Sequence, residues 1–338
     1  MGLNAGLSMP FEGVPHLRTL TAWPDQAPQK SSDILKGAEA DVAAIANAIV
    51  KFEPVTLFCK ASNIERAKKL VSPAVEIQEL EITALWIRDT GPVYVKNATG
   101  ELVGLDFNFN YWGYKYEGPD GTVASSILSN GGIERIQVPF VAEGGGIEVD
   151  GEGTLILTES SVINDNRNPG ATKQELEQHL KAMLGVDKVI WLNGVKDRDI
   201  TDWHIDAMAR FVAPGRILLS RPPEGSEQFL MDVYENAKSV LATETDAKGR
   251  NIEVLELEEA DPQLFDGDPY GMALSYVNYV LVNGGVVVPS FGDVAADERA
   301  VELFKNLFPS REVVSVQLSM LRKLGGGIHC ATQQQPRV

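Results

Sequence analysis

Four pairs of short apolar runs recur along the chain, and each pair is joined by a turn that contains glycine. The turns begin at Asn97, Asp150, Ala213 and Asn283. Runs of Val, Ile, Leu and Tyr separated by such turns are typical of antiparallel β-hairpins. The pattern therefore predicts hairpins with strands at 92–95 and 102–105, 147–149 and 154–157, 209–212 and 217–219, and 279–282 and 286–288.

Apolar residues at helical spacing occupy the stretches between the hairpins. Predicted helices run from Ile34 to Phe52, Lys173 to Leu184, Glu227 to Leu241 and Asp297 to Phe308. The second of these follows Thr172 and carries Glu175 three residues later. This spacing is typical of a capping box, in which each side chain bonds to the backbone N–H of the other residue. Strand, hairpin and helix therefore form one repeating unit.

The repeating unit recurs at comparable intervals, because its turns follow one another at steps of 53, 63 and 70 residues. Such a period indicates supersecondary units arranged radially or in series. A fifth unit would combine the apolar run 17–23 with the C-terminal segment, and joining both termini in one blade would close a ring. We therefore expect an α/β fold, a five-bladed propeller, formed by residues 1–338 as a single domain.

Composition restricts the classes of partner. The chain has 338 residues, 44% of them hydrophobic and 23% charged, as in a soluble globular protein. No apolar run approaches the ~20 residues that a membrane span needs, and the start lacks a signal-peptide pattern. The net charge of −17 argues against nucleic acid and is compatible with a cationic substrate. With two cysteines and no export signal, we expect a cytoplasmic protein without disulfides.

The C-terminal stretch holds the candidate nucleophile. Gly325, Gly326 and Gly327 deliver Cys330 to within eight residues of the last residue. Glycines let the backbone pass close to a ligand, and here they leave room beside the thiol. Cys59 lies instead in an apolar run and is typical of a small buried hydrophobic residue. The alternative for Cys330 is a second packed cysteine on a final strand.

Acidic residues lie at matching places ahead of three hairpins. Asp89, Glu143 and Asp206 precede the first residues of the first three turns by 8, 7 and 7 positions. If the repeats are related by rotation, equivalent positions converge near one axis. The spacing therefore predicts that these three acids, His204 and Cys330 share one pocket.

His204 is the best candidate for a general base among the four histidines. It is separated from Asp206 by one residue, so on a strand both side chains would point the same way. We expect His179 to be solvated in a charged helix, His16 to be structural, and His329 to face away from its cysteine neighbour. The alternative for His204 is a hydrogen-bonded core histidine.

This set of residues favours nucleophilic chemistry on a cation. Three carboxylates without several His or Cys do not resemble a zinc site, so no metal is predicted. A Cys–His pair supports covalent catalysis. Carboxylates beside the nucleophile disfavour its thiolate unless the substrate is cationic, and they pair bidentately with a planar guanidinium. The residues therefore fit attack on a guanidinium carbon.

Motifs from end to end of the chain carry a resemblance to a known family. They are Met9-Pro10, His16, Trp23-Pro24, 86–92, 106–116 with Tyr111-Trp112-Gly113, Glu143-Gly144-Gly145, 150–154, Asn166-Arg167-Asn168-Pro169, His204-Ile205-Asp206 and 325–336. Together they resemble the agmatine deiminase family, also called the bacterial-type peptidylarginine deiminase family. The resemblance implies a five-bladed α/β propeller of the guanidino-group-modifying superfamily, the pentein fold.

The resemblance also implies roles for individual residues. The implied catalytic residues are Cys330 as nucleophile, His204 as general acid/base, Asp89 and Asp206 as guanidinium-binding carboxylates and Glu143 as a supporting acid. Trp86 is implied to line the substrate channel, and we expect Asp202, Trp203 and Gly326 to contact the substrate as well. The implied reaction is hydrolysis of agmatine to N-carbamoylputrescine and ammonia through a covalent thiouronium, a step of putrescine biosynthesis that needs no metal or organic cofactor.

One segment departs from the family pattern. Agmatine-specific members often carry an acid four places before the histidine and a glycine immediately before it, whereas this chain has Ile200 and Trp203. We therefore expect weaker discrimination in favour of agmatine. The alternatives are a peptidylarginine or other guanidine deiminase, an amidinotransferase, and a guanidine-binding protein without turnover. The sequence leaves a homo-oligomer open.

Overall fold

The computed structural model describes residues 6–25, 31–266 and 271–338. The strands in these ranges are β1 His16–Ala22, β2 Val55–Cys59, β3 Glu76–Glu79, β4 Val93–Lys96, β5 Leu102–Asp106, β6 Glu134–Gln137, β7 Glu148–Val149, β8 Thr154–Thr158, β9 Lys188–Leu192, β10 Ala209–Ala213, β11 Arg216–Arg221, β12 Glu253–Glu258, β13 Val280–Val282, β14 Gly285–Ser290, β15 Glu312–Gln317 and β16 Thr332–Pro336.

The α-helices in the same ranges are α1 Ser32–Ile49, α2 Ile64–Leu70, α3 Ile87–Thr90, α4 Tyr111–Tyr114, α5 Val123–Asn130, α6 Glu159–Val162, α7 Lys173–Leu184, α8 Gln228–Thr243 and α9 Val294–Leu307. Short 3₁₀ helices lie at Ala61–Asn63, Asp120–Thr122, Gly144–Gly146, Ile205–Ala207, Pro262–Leu264 and Leu321–Leu324. Every helix found in these ranges is too short or too polar to cross a membrane.

The chain divides into two compact units. The first comprises residues 1–12, 89–256 and 338, and it holds the sheets β4-β5-β6, β7-β8-β9 and, up to Glu256, β10-β11-β12. In each sheet the first two strands form an antiparallel hairpin. In the first two sheets the third strand runs parallel to the second and follows a helical crossover, as parallel pairing requires.

The second unit comprises residues 13–88 and 257–337 and holds the remaining two sheets, β13-β14-β15 and β16-β1-β2-β3. In the larger sheet, β16 pairs antiparallel with β1, and Thr332 lies opposite Thr21. β1 in turn pairs in parallel with β2. The C-terminal strand therefore completes the sheet formed by the N-terminal strands, as the predicted fifth unit required.

The four predicted hairpins are confirmed, with Val93 opposite Leu105 and Ala209 opposite Leu219 as examples of their register. The predicted helices are also found, although α1 ends at Ile49, three residues before its predicted end. The bounds of α7 are those predicted, because its capping box forms and Gly185 ends it in the left-handed conformation at φ 65°. That residues 1–338 form one domain stays a prediction.

Helix α7 shows how the amphipathic pattern builds the core of the first unit. Its buried face carries Leu176, Leu180, Met183 and Leu184, which pack in a cluster with strand residues such as Leu155. Burying a leucine side chain contributes roughly 1.5–3 kcal/mol, so this face stabilises the helix more than intrinsic propensity does. The core fixes β7 and β8, and the loop that precedes β7 carries part of the candidate site.

Candidate active site

Four of the predicted site residues lie together in the first unit. Asp89, Glu143, His204 and Asp206 are all buried, with 1–6% of their surface exposed. Atom Nδ1 of His204 lies 3.6 Å from Oδ1 of Asp89, and its Nε2 lies 3.3 Å from Oε2 of Glu143. A side chain at Gly145 would place its Cβ 2.6 Å from Nδ1 of His204 and 3.2 Å from Oδ2 of Asp206. The structure thus brings three carboxylates around one imidazole.

Short turns position these side chains. Asp89 lies in α3 directly ahead of β4, and Glu143 immediately precedes the 3₁₀ helix Gly144–Gly146. His204 immediately precedes the 3₁₀ helix Ile205–Ala207, which contains Asp206. The prediction that His204 and Asp206 share a strand is wrong, because the N–H of Met208 donates to the Ile205 carbonyl and closes a turn. Their side chains nevertheless converge beside Gly145.

Asp89 is held by a tryptophan in a strained conformation. Nε1 of Trp112 donates to Oδ2 of Asp89 at 2.9 Å, and the N–H of Gly145 donates to the other carboxylate oxygen at 3.0 Å. Trp112 has φ 54° and ψ 45°, a left-handed conformation that costs a bulky residue on the order of 1–3 kcal/mol. The edge of Phe109 supports the buried indole, with ring centroids 4.9 Å apart. The strain serves to direct the indole N–H at Asp89.

Glu143 is held by a buried arginine. Nε of Arg167 donates to both carboxylate oxygens of Glu143 at 2.8 and 2.9 Å. Nη1 of Arg167 donates to Oδ2 of Asp202 at 2.6 Å, and Nη2 donates to the Thr201 carbonyl at 2.9 Å. The other oxygen of Asp202 lies 2.7 Å from Nζ of Lys115. One line of ion pairs thus runs from His204 through Glu143, Arg167 and Asp202 to Lys115.

The geometry of Asp202 and Trp203 favours internal contacts. Asp202 is fully buried, and its carboxylate already pairs with two cations, Arg167 and Lys115. It therefore fits a role in holding Arg167 better than the predicted contact with substrate. Trp203 is half-buried, and its ring meets that of Phe229 edge-on at 6.4 Å. The substrate contact of Trp203 stays a prediction.

The surroundings of His204 favour its protonated form. Burial by itself lowers the pKa of His204, but the charges of Asp89, Glu143 and Asp206 and the hydrogen bond that His204 donates to Glu143 raise it to about 9. Burial raises the pKa of Asp89; the charge of His204 lowers it, but the charges of Asp206 and Glu143 add to the effect of burial, and the pKa stays above its usual range. The cluster therefore holds an imidazolium at neutral pH, which can donate a proton to a leaving group.

The ion pairs of Arg167 keep their charges. Burial lowers the pKa of the Arg167 guanidinium, but Glu143 and Asp202 more than reverse this effect. Burial raises the pKa of Asp202, but hydrogen bonds from Lys115, the Asp197 N–H and Arg167 hold it at about 2. Glu143 consequently contacts a permanent cation in addition to His204.

Cys330 lies in the second unit, where it is half-buried and follows the glycines 325–327 in the chain. The N–H of Arg88 donates to the Cys330 carbonyl at 3.2 Å, and Nδ2 of Asn278 lies 3.1 Å from Sγ. A Cβ on Gly326 would come within 2.5 Å of the Trp86 ring, so the absence of a side chain lets the indole lie against the backbone. Gly326, four residues before Cys330, therefore lies against Trp86. Their predicted pocket with the four residues of the first unit stays a prediction.

The other cysteine and histidines have separate environments. Burial, followed by the charge of Glu79, raises the pKa of the Cys59 thiol to about 11. His16 is buried and lies 3.1 Å from a Glu53 oxygen, as a structural residue should. His179 is half-buried beside Phe140, with ring centroids 6.3 Å apart, so it is only partly solvated.

Sequence reasoning assigned no role to three residues that hold the site groups: Trp112, Arg167 and Asn278. Trp112 and Arg167 lie in motifs that were recognisable, Tyr111-Trp112-Gly113 and Asn166-Arg167-Asn168-Pro169. The available signal for Arg167 was its position between two asparagines in that motif, whereas its burial is seen only in the structure. Asn278 lies in an apolar run with no comparable signal.

Comparisons with known proteins agree with the family that the sequence motifs resemble. A family model described as Porphyromonas-type peptidyl-arginine deiminase matches residues 8–336. The chain is 39% identical to the agmatine deiminase of Stutzerimonas stutzeri, and the match covers 98% of this chain and 96% of the relative.

Two solved structures have similar folds. The agmatine deiminase of Enterococcus faecalis matches with a TM-score of 0.89 at 30% identity, covering 98% of this chain and 96% of that one. A C. jejuni agmatine deiminase, solved as a cysteine-to-serine variant with substrate bound, matches with a TM-score of 0.85 at 25% identity and the same coverage. The five small sheets and these likenesses confirm the predicted α/β pentein fold. Matched over nearly its whole length, the chain belongs to the Porphyromonas-type peptidyl-arginine deiminase family, alongside these agmatine deiminases.

Proposed function

We propose that the protein is an agmatine deiminase, which hydrolyses agmatine to N-carbamoylputrescine and ammonia. The observation that carries this proposal is the cluster of Asp89, Glu143 and Asp206 around His204. Buried carboxylates need a cation, and a guanidinium offers a planar one with paired donors. The 39% identity with an agmatine deiminase along the whole chain identifies agmatine as the first substrate to test.

In the proposed mechanism, Asp89 and Asp206 hold the substrate guanidinium. The thiolate of Cys330 attacks the guanidinium carbon, forming a C–S bond while the C=N π electrons move to nitrogen. The imidazolium of His204 gives its proton to one nitrogen, the C–N bond breaks and ammonia leaves. A covalent thiouronium on Cys330 remains. The raised pKa of His204, about 9, suits this acid role at neutral pH.

Hydrolysis of the thiouronium completes the proposed cycle. The now neutral His204 takes a proton from a water molecule, whose oxygen attacks the same carbon. The C–S bond then breaks, the Cys330 thiolate is restored, the hydroxyl proton passes to solvent and the neutral urea product leaves. The chemistry is consistent with the C. jejuni relative, whose cysteine-to-serine variant was solved with substrate bound. The proposed partner is therefore a small cationic guanidine, and the mechanism uses no metal or organic cofactor.

A specific observation favours a second candidate, a deiminase for guanidines without an amine tail. Nζ of Lys115 donates to the carbonyls of Asp199 and Ile200 at 3.2 and 3.3 Å and lies 2.7 Å from Asp202. The loop that precedes His204 therefore already pairs with the ammonium group of Lys115. A substrate ammonium near this loop would meet Lys115 as a like charge, which weakens the advantage of agmatine.

Ammonia release from a panel of guanidines tests the proposal. The panel contains agmatine, butylguanidine, arginine and a blocked peptidylarginine, with and without an added primary amine. We expect the highest kcat/KM with agmatine or butylguanidine, and no dependence on the added amine. Turnover that required the amine would indicate an amidinotransferase, and binding without turnover would indicate a guanidine-binding protein. Either result would contradict the proposal.

A further inference from the structure

The side chain of Asn278 contacts the thiol of Cys330 and the backbone that carries it. Its Oδ1 accepts from the N–H of His329 at 2.9 Å and from the N–H of Cys330 at 3.3 Å. Its Nδ2 lies 3.1 Å from Sγ of Cys330. The main chain adds a further bond, because the N–H of His329 donates to the Asn278 carbonyl at 3.2 Å. Backbone and thiol are thus held by one buried amide.

The hydrogen bonds fix which end of the amide faces the sulfur. The two N–H groups can be satisfied only by an acceptor, so Oδ1 must face them and Nδ2 must face Sγ. The close approach also depends on Gly327, since a Cβ there would lie 2.5 Å from Oδ1 of Asn278. Asn278 itself is 3% exposed, so water competes little for its N–H donors. The last glycine of the run therefore makes room for this amide.

We infer that Asn278 is a positioning residue that orients Cys330 and stabilises its thiolate through the Nδ2–H···Sγ hydrogen bond. The inference rests on the proposed function in assigning Cys330 as the nucleophile. A hydrogen bond to an ionised acceptor is roughly twice as strong as one to a neutral acceptor, so this contact favours the thiolate over the thiol. The thiolate is the form that attacks carbon.

Other titratable groups lie near this segment of the second unit. Nε of Arg88 donates to the His329 carbonyl at 3.3 Å, and its Nη1 donates to Oε1 of Gln334 at 2.8 Å. Arg88 thus adds a positive charge beside the Cys330 segment, and His329 is the titratable residue next to Cys330 in the chain. Substitution of Asn278 leaves both groups in place, so a change in thiol reactivity can be attributed to the amide.

Replacing Asn278 by aspartate separates the two roles of the amide. Asn278→Asp keeps the size and an oxygen acceptor for the two backbone N–H groups. It replaces the N–H donor at the sulfur by a carboxylate oxygen, which repels a thiolate. Asn283→Asp is the matched control, because the Asn283 amide also bonds to backbone at both ends. Its Oδ1 accepts from the N–H of His16, and its Nδ2 donates to the His16 carbonyl. The same substitution there removes one hydrogen bond and adds one charge.

The measurement is the rate of Cys330 alkylation by iodoacetamide as a function of pH. The proteins carry Cys59→Ser, so that Cys330 is the only thiol. We expect Asn278→Asp to move the midpoint of the rate profile upward by about one pH unit or more, with about a tenfold slower alkylation near neutral pH, because one unit changes the thiolate fraction tenfold. Asn283→Asp should keep the wild-type midpoint. Asn278→Ala, which removes the donor without adding a charge, should give a smaller upward move.

An unchanged midpoint in a folded Asn278→Asp protein would overturn the inference, even if turnover were lost, since the role would then be structural. Circular dichroism verifies folding, and Asn278→Ala replaces the aspartate variant if that does not fold. An equal upward shift of the alkylation midpoint in Asn283→Asp would also overturn the inference. If the midpoint moves as expected while no guanidine is turned over by the wild type, the proposed function fails and the thiolate assignment stands.

Discussion

At the scale of residues, buried charges are tolerated where each has a partner on both sides. Arg167 is 3% exposed and lies between Glu143 and Asp202, bonded to each at 2.6–2.9 Å. Removing one member of such a set leaves an uncompensated charge, which costs more than the set itself contributes. The main contribution of Arg167 is therefore to compensate the buried negative charges of Glu143 and Asp202, and its attraction to Glu143 matters less.

Arg167→Met tests this role. We expect it to lower the free energy of unfolding by ~3–5 kcal/mol and to reduce kcat/KM strongly, because Glu143 is left buried without its cation. Arg167→Lys should restore part of the activity, since it keeps the charge but loses the planar fork. Urea unfolding and steady-state kinetics check both.

The control for Arg167 is Arg216→Met, because Arg216 pairs with Glu253 at the exposed surface. Exposed pairs contribute roughly 0–1 kcal/mol, so this variant should keep near-wild-type stability and activity. Equal losses in the two variants would contradict the argument from burial.

Substrate discrimination is also decided at the scale of residues. We predict that Ile200→Glu raises the preference for agmatine over butylguanidine of matched length, because a carboxylate there would offset Lys115 and attract the substrate ammonium. Ile200 is 42% exposed, so the glutamate needs no internal partner. The ratio of the two kcat/KM values measures the preference. A wild-type preference of several orders of magnitude that Ile200→Glu lowers would show that the amine is held elsewhere.

At the scale of elements, glycine-rich turns let polar groups approach more closely than side chains would permit. Gly145 lies where Asp89, His204 and Asp206 converge, and Gly326 lies under the Trp86 ring. Gly145 lies within the 3₁₀ helix Gly144–Gly146, and Gly326 comes shortly after the 3₁₀ helix Leu321–Leu324, so neither glycine lies on a strand. The convergence of the site groups is thus a property of turns, which the strand-based argument for His204 and Asp206 did not anticipate.

Neighbouring glycines of one turn provide a matched pair of variants. Gly145→Ala would place a Cβ 2.6 Å from Nδ1 of His204 and 2.8 Å from Oδ1 of Asp89, so one of them must move. Gly146→Ala would meet nothing closer than 3.6 Å. We expect Gly145→Ala to lose roughly a hundredfold in kcat/KM, as displacements near 1 Å can cause, and Gly146→Ala to lose far less. Similar activity of the two variants would place the critical contact elsewhere.

At the scale of the whole molecule, the repeat could be predicted because each hairpin is local. The turn at Asn97, for example, joins strands whose residues pair across a few positions, so periodicity alone identifies them. The pairing of β1 with β16 followed from needing a fifth unit. The contacts of Trp112, Arg167 and Asn278 could not be predicted, because they join residues 23, 24 and 52 positions apart, and the positions of the hairpins do not specify side-chain partners.

The pH dependence of the whole reaction follows from the charge of the cluster. His204 must be protonated to release ammonia, and its pKa is raised to about 9, so the basic limb of kcat/KM should fall near that pH. Glu143→Gln removes a negative charge and a hydrogen bond that raise this pKa. The basic limb of its residual activity should therefore move to lower pH. A limb that stays in place or moves to higher pH would contradict the assignment of His204 as the acid.

The measurement that tests the central claim most directly is a rapid acid quench of the protein with agmatine during single turnover, followed by peptide mass mapping. The account predicts an adduct with the mass of agmatine less ammonia on the peptide that contains Cys330. The adduct should be absent from Cys330→Ser, which should fold and bind but not turn over. Turnover in Cys330→Ser, or an adduct on Cys59 alone, would contradict the account.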